Sequence, residues 1–246
     1  MSTFAIGDIH GQYQMLRRLL DALPFGDSDT LVFVGDYVDR GPDSRVVIEL
    51  LIDLQARYVE RCVCLLGNHE DMLLDHVRLT PGSWDESISA IDGMEEAGDY
   101  TPGFWLTVGG AETMASYGGE IPHEHLEFIA GLPLIYEEDD FIYVHAGLNA
   151  RGGTPRGQML WGASGFWSDL DPLTGRMLKG VRRTLPKTVV VGHTVCKYPI
   201  VGADIIGIDT GAGHGGPLTA VQLPDLLFWQ SWPFTNEVSC LTINGV

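Results

Sequence analysis

With 246 residues, 45% of them apolar, the chain is long enough to bury a sizeable core and has the make-up of an ordinary water-soluble globular protein. The charge balance is unusual: 33 acidic against 15 basic residues give −18, a surface that repels phosphate backbones and anionic membranes and argues against nucleic-acid or membrane partners. No window approaches the ~18 apolar residues of a membrane span, and Met1-Ser2-Thr3 leads into an apolar run without the regions of a signal peptide, so a cytoplasmic protein is expected.

Phe4 to Ile6 reads as a first strand that runs into Gly7-Asp8-Ile9-His10-Gly11. Met15, Leu16, Leu19, Leu20 and Leu23 then recur at helical spacing until Pro24 stops them. A polar turn at Gly26-Asp27-Ser28-Asp29 precedes a buried strand, Leu31 to Val34, which delivers Gly35-Asp36-Tyr37-Val38-Asp39-Arg40-Gly41. Pro42 suits the start of a second helix carrying Val46, Val47, Leu50, Leu51 and Leu54. A third strand, Cys62 to Leu66, ends in Gly67-Asn68-His69-Glu70. The order strand-turn-helix, repeated, predicts parallel strands with helical crossovers.

Residues 69–77 read as helix. From Thr80 to Tyr117 the pattern weakens through Pro81-Gly82-Ser83, Glu95-Glu96 and Pro102-Gly103-Phe104-Trp105. We read 80–117 as a helical and loop insertion near the site mouth, within one domain spanning 1–246. A short helix from Ile121-Pro122-His123-Glu124 to Ala130 follows, with His123 and His125 as surface residues. Leu132 to Tyr136 and Phe141 to Val144 form a hairpin, whose second strand ends in His145-Ala146-Gly147. Residues 149–180 are Gly-rich and loop-like. Thr188 to Val191 is a strand delivering Gly192-His193-Thr194, and Ile205–Ile208, Leu218–Leu223 and Leu226–Trp232 read as further strands. Trp229 and Trp232 are expected in the core. Cys62 and Cys64 share a strand face, and together with Cys196 and Cys240 they read as reduced core residues. The aromatics Trp84, Phe104, Trp105, Trp161, Phe166 and Trp167 read first as packing beneath long loops, with lining of a substrate cleft as the alternative.

One Asp-x-His pair on a Gly turn is weak evidence for a metal, because Gly-Asp is also ordinary turn chemistry. Five strand-end turns bearing oxygen or imidazole donors are a different matter: Asp8/His10, Asp36/Asp39/Arg40, Asn68/His69, His145 and His193. Ligands bind at the carboxyl edge of open α/β sheets. This pattern predicts a two-metal phosphoesterase.

At these positions the sequence resembles the phosphoprotein phosphatase family of metallophosphoesterases, through GDIHG, GDYVDRG, GNHE, Val144-His145-Ala146-Gly147, Gly192-His193-Thr194, Ile208-Asp209-Thr210-Gly211-Ala212 and Gly215-Gly216-Pro217-Leu218-Thr219. The compact length and the Ile-Asp-Thr-Gly-Ala run are similar to the bacterial serine/threonine phosphatase branch. The resemblance implies an α/β calcineurin-like sandwich of two mixed β-sheets flanked by helices. It implies two divalent ions, one held by Asp8, His10 and Asp36, the other by Asp36, Asn68, His145 and His193. Mixed oxygen and nitrogen donors suit Mn²⁺ first, with Fe or Zn²⁺ as alternatives. A metal-bridging hydroxide would attack phosphorus directly, His69 would protonate the leaving oxygen with Asp39 as its partner, and Arg40 and Asn68 would bind the phosphate. The substrate would be phosphoserine or phosphothreonine in proteins, phosphotyrosine in addition, or a small phosphoester. The alternatives are a symmetrical dinucleoside tetraphosphate hydrolase and a catalytically weak metal-binding regulatory module.

There are departures. Bacterial relatives carry a second phosphate-binding Arg after a Leu-Trp, but Leu160-Trp161 is followed here by Gly162-Ala163-Ser164-Gly165. Arg151, Arg156 and Arg176 remain open as substitutes. His214 stands where the family has a Tyr before Gly-Gly.

Overall fold

The computed structural model describes residues 1–80, 103–149, 152–162 and 186–242. In chain order the elements are β1 (Thr3–Ile6), α1 (Tyr13–Ala22), β2 (Thr30–Phe33), α2 (Ser44–Arg57), β3 (Cys62–Cys64) and α3 (Asn68–Leu79). A kinked turn, Leu106–Gly110, runs into α4 (Ala111–Tyr117), followed by α5 (His123–Ala130), β4 (Ile135–Glu137), β5 (Phe141–Val144) and α6 (Arg156–Trp161). The last part contains β6 (Thr188–Val191), β7 (Ile200–Val201), β8 (Ile205–Gly207), a 3-10 turn at Ala212–His214, β9 (Leu218–Leu223), β10 (Leu227–Ser231) and β11 (Val238–Thr242).

These strands make two mixed sheets, as expected. One has the order β11-β10-β9-β1-β2-β3 and the other β4-β5-β6-β8-β7. Within the first, β1, β2 and β3 are parallel, and β9 joins β1 antiparallel. Within the second, β5, β6 and β8 are parallel. Alternation along the strands explains why the sheets stack. Phe4 and Ile6 of β1 pack under the helices with Met15, Leu16, Val47 and Leu51, whereas Ala5 between them faces the other sheet in a cluster with Val190 and Ile206. The far face of the second sheet buries Val144, Val189 and Val191, with Met159 of α6 against them. No helix among the described residues is long and apolar enough to cross a membrane.

Several expectations need correction. On α2 the buried face is Val47, Ile48, Leu51 and Leu54, while Val46 is exposed, because the helix carries more apolar positions than one face can bury. His125 is buried, not on the surface: its Nδ1 lies 2.8 Å from the Tyr117 hydroxyl in the seam between α4 and α5. Cys62, Cys64 and Cys196 are buried free thiols, but Cys240 is exposed, since β11 is an edge strand with one neighbour. Trp229 packs against the core. Trp232 lies past the end of β10 and is exposed, its carbonyl accepting from Arg18 at 2.9 Å. Strands β7 and β11 were not anticipated: β7 is two residues long, and β11 lacks a clean apolar alternation. Of the proposed 80–117 insertion, 81–102 lies outside the described residues.

Candidate active site

Because β1, β2 and β3 run the same way, their carboxyl ends reach one edge, where Asp8, Asp36 and Asn68 follow within a few residues. β5 and β6 bring His145 and His193 to the matching edge of the second sheet. The turns bend sharply. His10, Asp36, Asp39, Arg40 and His193 have φ of 47°, 55°, 76°, 65° and 60°, so five of the seven described non-glycine residues in the left-handed region are site residues. Such backbone persists only where its surroundings enforce it. Here Glu70 does so: Oε1 accepts from the amides of Tyr37 (2.7 Å) and Val38 (3.1 Å), and Oε2 from Asp36 (2.8 Å) and Gly67 (3.1 Å). At Gly35, φ 106°, a Cβ would stand 2.8 Å from His145 Nδ1, so only glycine lets the two sheet edges close.

Among the described residues two triads of donor atoms result, His10/Asp36/His69 and Asp36/His145/His193, each with its atoms within 4.8 Å of one another. Asn68 joins the second, its Oδ1 lying 2.8 Å from His145 Nε2 and 3.0 Å from His193 Nδ1. The chemistry of these donors fits cations. His145 directs Nδ1 at the Val34 carbonyl (2.9 Å), and burial holds its pKa below the usual value, so its one proton is spent there. Its Nε2 lone pair then faces two oxygens, Asn68 Oδ1 and Asp36 Oδ1, the latter at 3.4 Å. Three acceptors pointing at one another are satisfied by a positive ion and by little else. His10 repeats the arrangement, with Nδ1 2.8 Å from the Val38 carbonyl, Nε2 3.5 Å from Asp36 Oδ2, and burial again lowering its pKa. In this structure Arg40 Nη1 donates to that same Nε2.

Asp8 sits beside the triads, not in either. Its carboxylate accepts the His193 amide (3.0 and 3.2 Å) and is hydrogen-bonded to Asp209. Burial first, then Asp209 and Asp36, push the Asp8 pKa upward.

His69 is held from behind. Its Nδ1 lies 2.5 Å from Asp39 Oδ2, and its Nε2 is 3.0 Å from Arg40 Nη2 and 4.0 Å from Asp36 Oδ2. Burial works against protonating this imidazole, but Asp36 and Asp39 outweigh it and the pKa rises. Asp39 is fully buried. Trp105 Nε1 donates to its Oδ2 at 2.8 Å and the Thr113 hydroxyl to its Oδ1 at 2.7 Å.

The structure thus brings together all nine residues singled out from the sequence. Trp105, Thr113, Glu70 and Asp209 were missed as contributors to the site. Glu70 and Asp209 stood inside motifs already quoted, so their signal was present; Thr113 and the hydrogen bond of Trp105 had none recognised. Trp105 is packed in the core as expected, whereas Trp161 is exposed with its ring centre 5.9 Å from that of His193. Arg156 reaches Asp71 of α3 at 2.5 Å. Arg151 and Arg176 lie outside the described residues, as do Trp84, Phe166 and Trp167. His214 is exposed, and burial, Arg40 and His69 in that order lower its pKa.

The profile of the calcineurin-like phosphoesterase family matches residues 1–197. Among similar proteins is a symmetrical bis(5'-nucleosyl)-tetraphosphatase of Nitrosospira multiformis, 26% identical over 94% of this chain and 96% of that one. Another is the asymmetrical bis(5'-nucleosyl)-tetraphosphatase PrpE of Halalkalibacterium halodurans, 27% identical over 91% and 90%. A solved protein serine/threonine phosphatase from Saccharomyces cerevisiae superposes with a TM-score of 0.55 at 14% identity, covering 100% of this chain and 80% of that one.

Proposed function

The chain belongs to the calcineurin-like phosphoesterase family, and from that premise we propose that it hydrolyses phosphoserine and phosphothreonine esters of proteins, with phosphotyrosine as a further substrate. The observation that carries this reading is the buried Asp39–His69 pair beside the shared carboxylate Asp36. Divalent ions, Mn²⁺ in the first place, would be held by Asp8, His10, Asp36, Asn68, His145 and His193, and when bound they supply positive charge for the phosphate and lower the pKa of water.

The rest falls to the side chains. Arg40, with Nη1 on His10 and Nη2 on His69, has its guanidinium fork at the mouth of the site, where it would take two phosphate oxygens. His69 keeps Nδ1 on Asp39, so Nε2, which here accepts from Arg40 Nη2, is the atom that would deliver a proton once Arg40 turns to the phosphate. The Asp39 carboxylate on Nδ1 favours the protonated ring. An alkoxide leaving from Ser or Thr is strongly basic and needs this proton. A nucleotide leaving through a phosphate oxygen does not.

A second reading, a dinucleoside tetraphosphate hydrolase, is favoured by the two near-full-length relatives so named and by the exposed Trp161 ring beside His193, a surface on which a base would stack. With Mn²⁺ present, kcat/KM on a phosphoserine peptide is expected to exceed that on diadenosine tetraphosphate. The reverse order assigns the second reading. His69→Asn is expected to lower peptide turnover about 10²–10⁴-fold with bound metal unchanged. Parallel loss of metal would remove the proton-donor role.

A further inference from the structure

Asp39 belongs to neither metal triad, and its carboxylate is fully engaged by three side chains. Oδ2 is shared by His69 Nδ1 at 2.5 Å and Trp105 Nε1 at 2.8 Å, and Oδ1 takes the Thr113 hydroxyl at 2.7 Å. The Thr113 oxygen also accepts the Asp39 amide at 2.8 Å and lies 3.0 Å from the Ser44 hydroxyl. That uses its one donor and both acceptor sites.

The segment supplying these groups is shaped for the task. A Cβ on Gly110 would run into the Trp105 indole, so glycine there is what lets the ring lie against the kinked turn. Gly109 has φ 124°, and its carbonyl accepts the Arg40 amide at 3.2 Å. Gly109 in the left-handed region breaks the helix between Trp105 and Thr113. Across that kink the two side chains reach opposite oxygens of one carboxylate.

We infer that Trp105 and Thr113 are positioning residues for proton donation by His69, acting through Asp39. Trp105 fixes the plane of the Asp39 carboxylate, so that the Oδ2 lone pair meets Nδ1 and Nε2 is aimed at the leaving oxygen. Thr113 locks the other end of the carboxylate and the left-handed backbone that carries it. This rests on the proton-donor reading of His69, and the test keeps the two apart.

Trp105→Phe keeps an aromatic ring in the pocket but removes the N–H together with part of the indole, so the melting temperature is read beside turnover. Thr113→Val deletes the hydroxyl at nearly constant volume, and Thr113→Ser restores it. Two substrates are compared: a phosphoserine peptide, whose leaving group needs a proton, and para-nitrophenyl phosphate, whose leaving group needs little help. Trp105→Phe and Thr113→Val are each expected to lower kcat on the peptide about 10-fold, with KM and bound Mn²⁺ unchanged, and to change kcat on the aryl ester less than about 2-fold. Thr113→Ser is expected to recover most of the loss, and in a His69→Asn background Trp105→Phe is expected to add nothing. Equal losses on both substrates, or a loss that adds to that of His69→Asn, would overturn the positioning role while leaving His69 as donor. If His69→Asn itself shows no preference between the two substrates, the donor reading fails first and the inference fails with it.

Discussion

Glu70 sets the shape of the site one residue at a time. Four amides converge on its carboxylate, and three of them belong to the turn that carries Asp36. Glu70→Gln would turn an amide N–H toward at least one of those donors. Losing a charge-assisted bond of about 1.5–3 kcal/mol and leaving an amide unpaired should lower the melting temperature and weaken metal affinity together; a variant with unchanged melting and full metal content would refute this. Histidine titration gives a second prediction at this scale. Burial, then the neighbouring His145, bring His193 from its ordinary 6.5 to about 4. Between these values the unfolded chain binds more protons than the folded one, so stability rises with pH and is lost as pH falls from 6.5 toward 4. In the metal-free protein His193→Gln should remove that contribution, so the melting temperature of the variant should rise less with pH across this range than that of the unsubstituted protein. Parallel profiles for the two would contradict the assignment. Individual ligands were legible in the sequence because each stands between glycines after an apolar run. The partners of Asp39 were not, since Trp105 and Thr113 lie 66 and 74 residues away from it.

Elements were legible in proportion to how cleanly their period shows. α1 and β6 came out almost residue for residue, because a stop at Pro24 and an unbroken Thr188–Val191 run leave little choice. The facing of α2 did not, since propensity cannot say which of its many apolar positions meets the sheet. Leu51 is the better anchor: fully buried on that face, it should cost about 2–5 kcal/mol when changed to Ala, measurable by denaturant unfolding, whereas the exposed Val46→Ala should cost far less. The kink at Leu106–Gly110 has no period to read in the sequence, because Gly109 leaves helical geometry there at φ 124°. Gly109→Ala tests it: a Cβ there would stand 2.8 Å from the Arg40 nitrogen at φ 124°, so turnover should fall with little change in metal content. Unchanged turnover would mean that this turn does not position Arg40.

At the scale of the whole molecule, two stacked sheets bring their carboxyl edges side by side, and no single element holds the site. Asp36 comes from the first sheet, His145 and His193 from the second, and Asp36 alone belongs to both triads. The order of strand-turn-helix units made the parallel strands and their helical crossovers legible, and the two-sheet sandwich needed the family resemblance as well. The meeting of the edges followed from resemblance, because no local pattern encodes which strand ends face each other. The most direct test is a Mn²⁺ titration of chelator-stripped protein, with bound ions counted by elemental analysis as turnover of para-nitrophenyl phosphate returns. The account predicts no turnover without metal, recovery at two ions per chain, and loss of both ions in Asp36→Asn. Full turnover in the stripped protein, or an Asp36→Asn variant that still holds two ions, would contradict it.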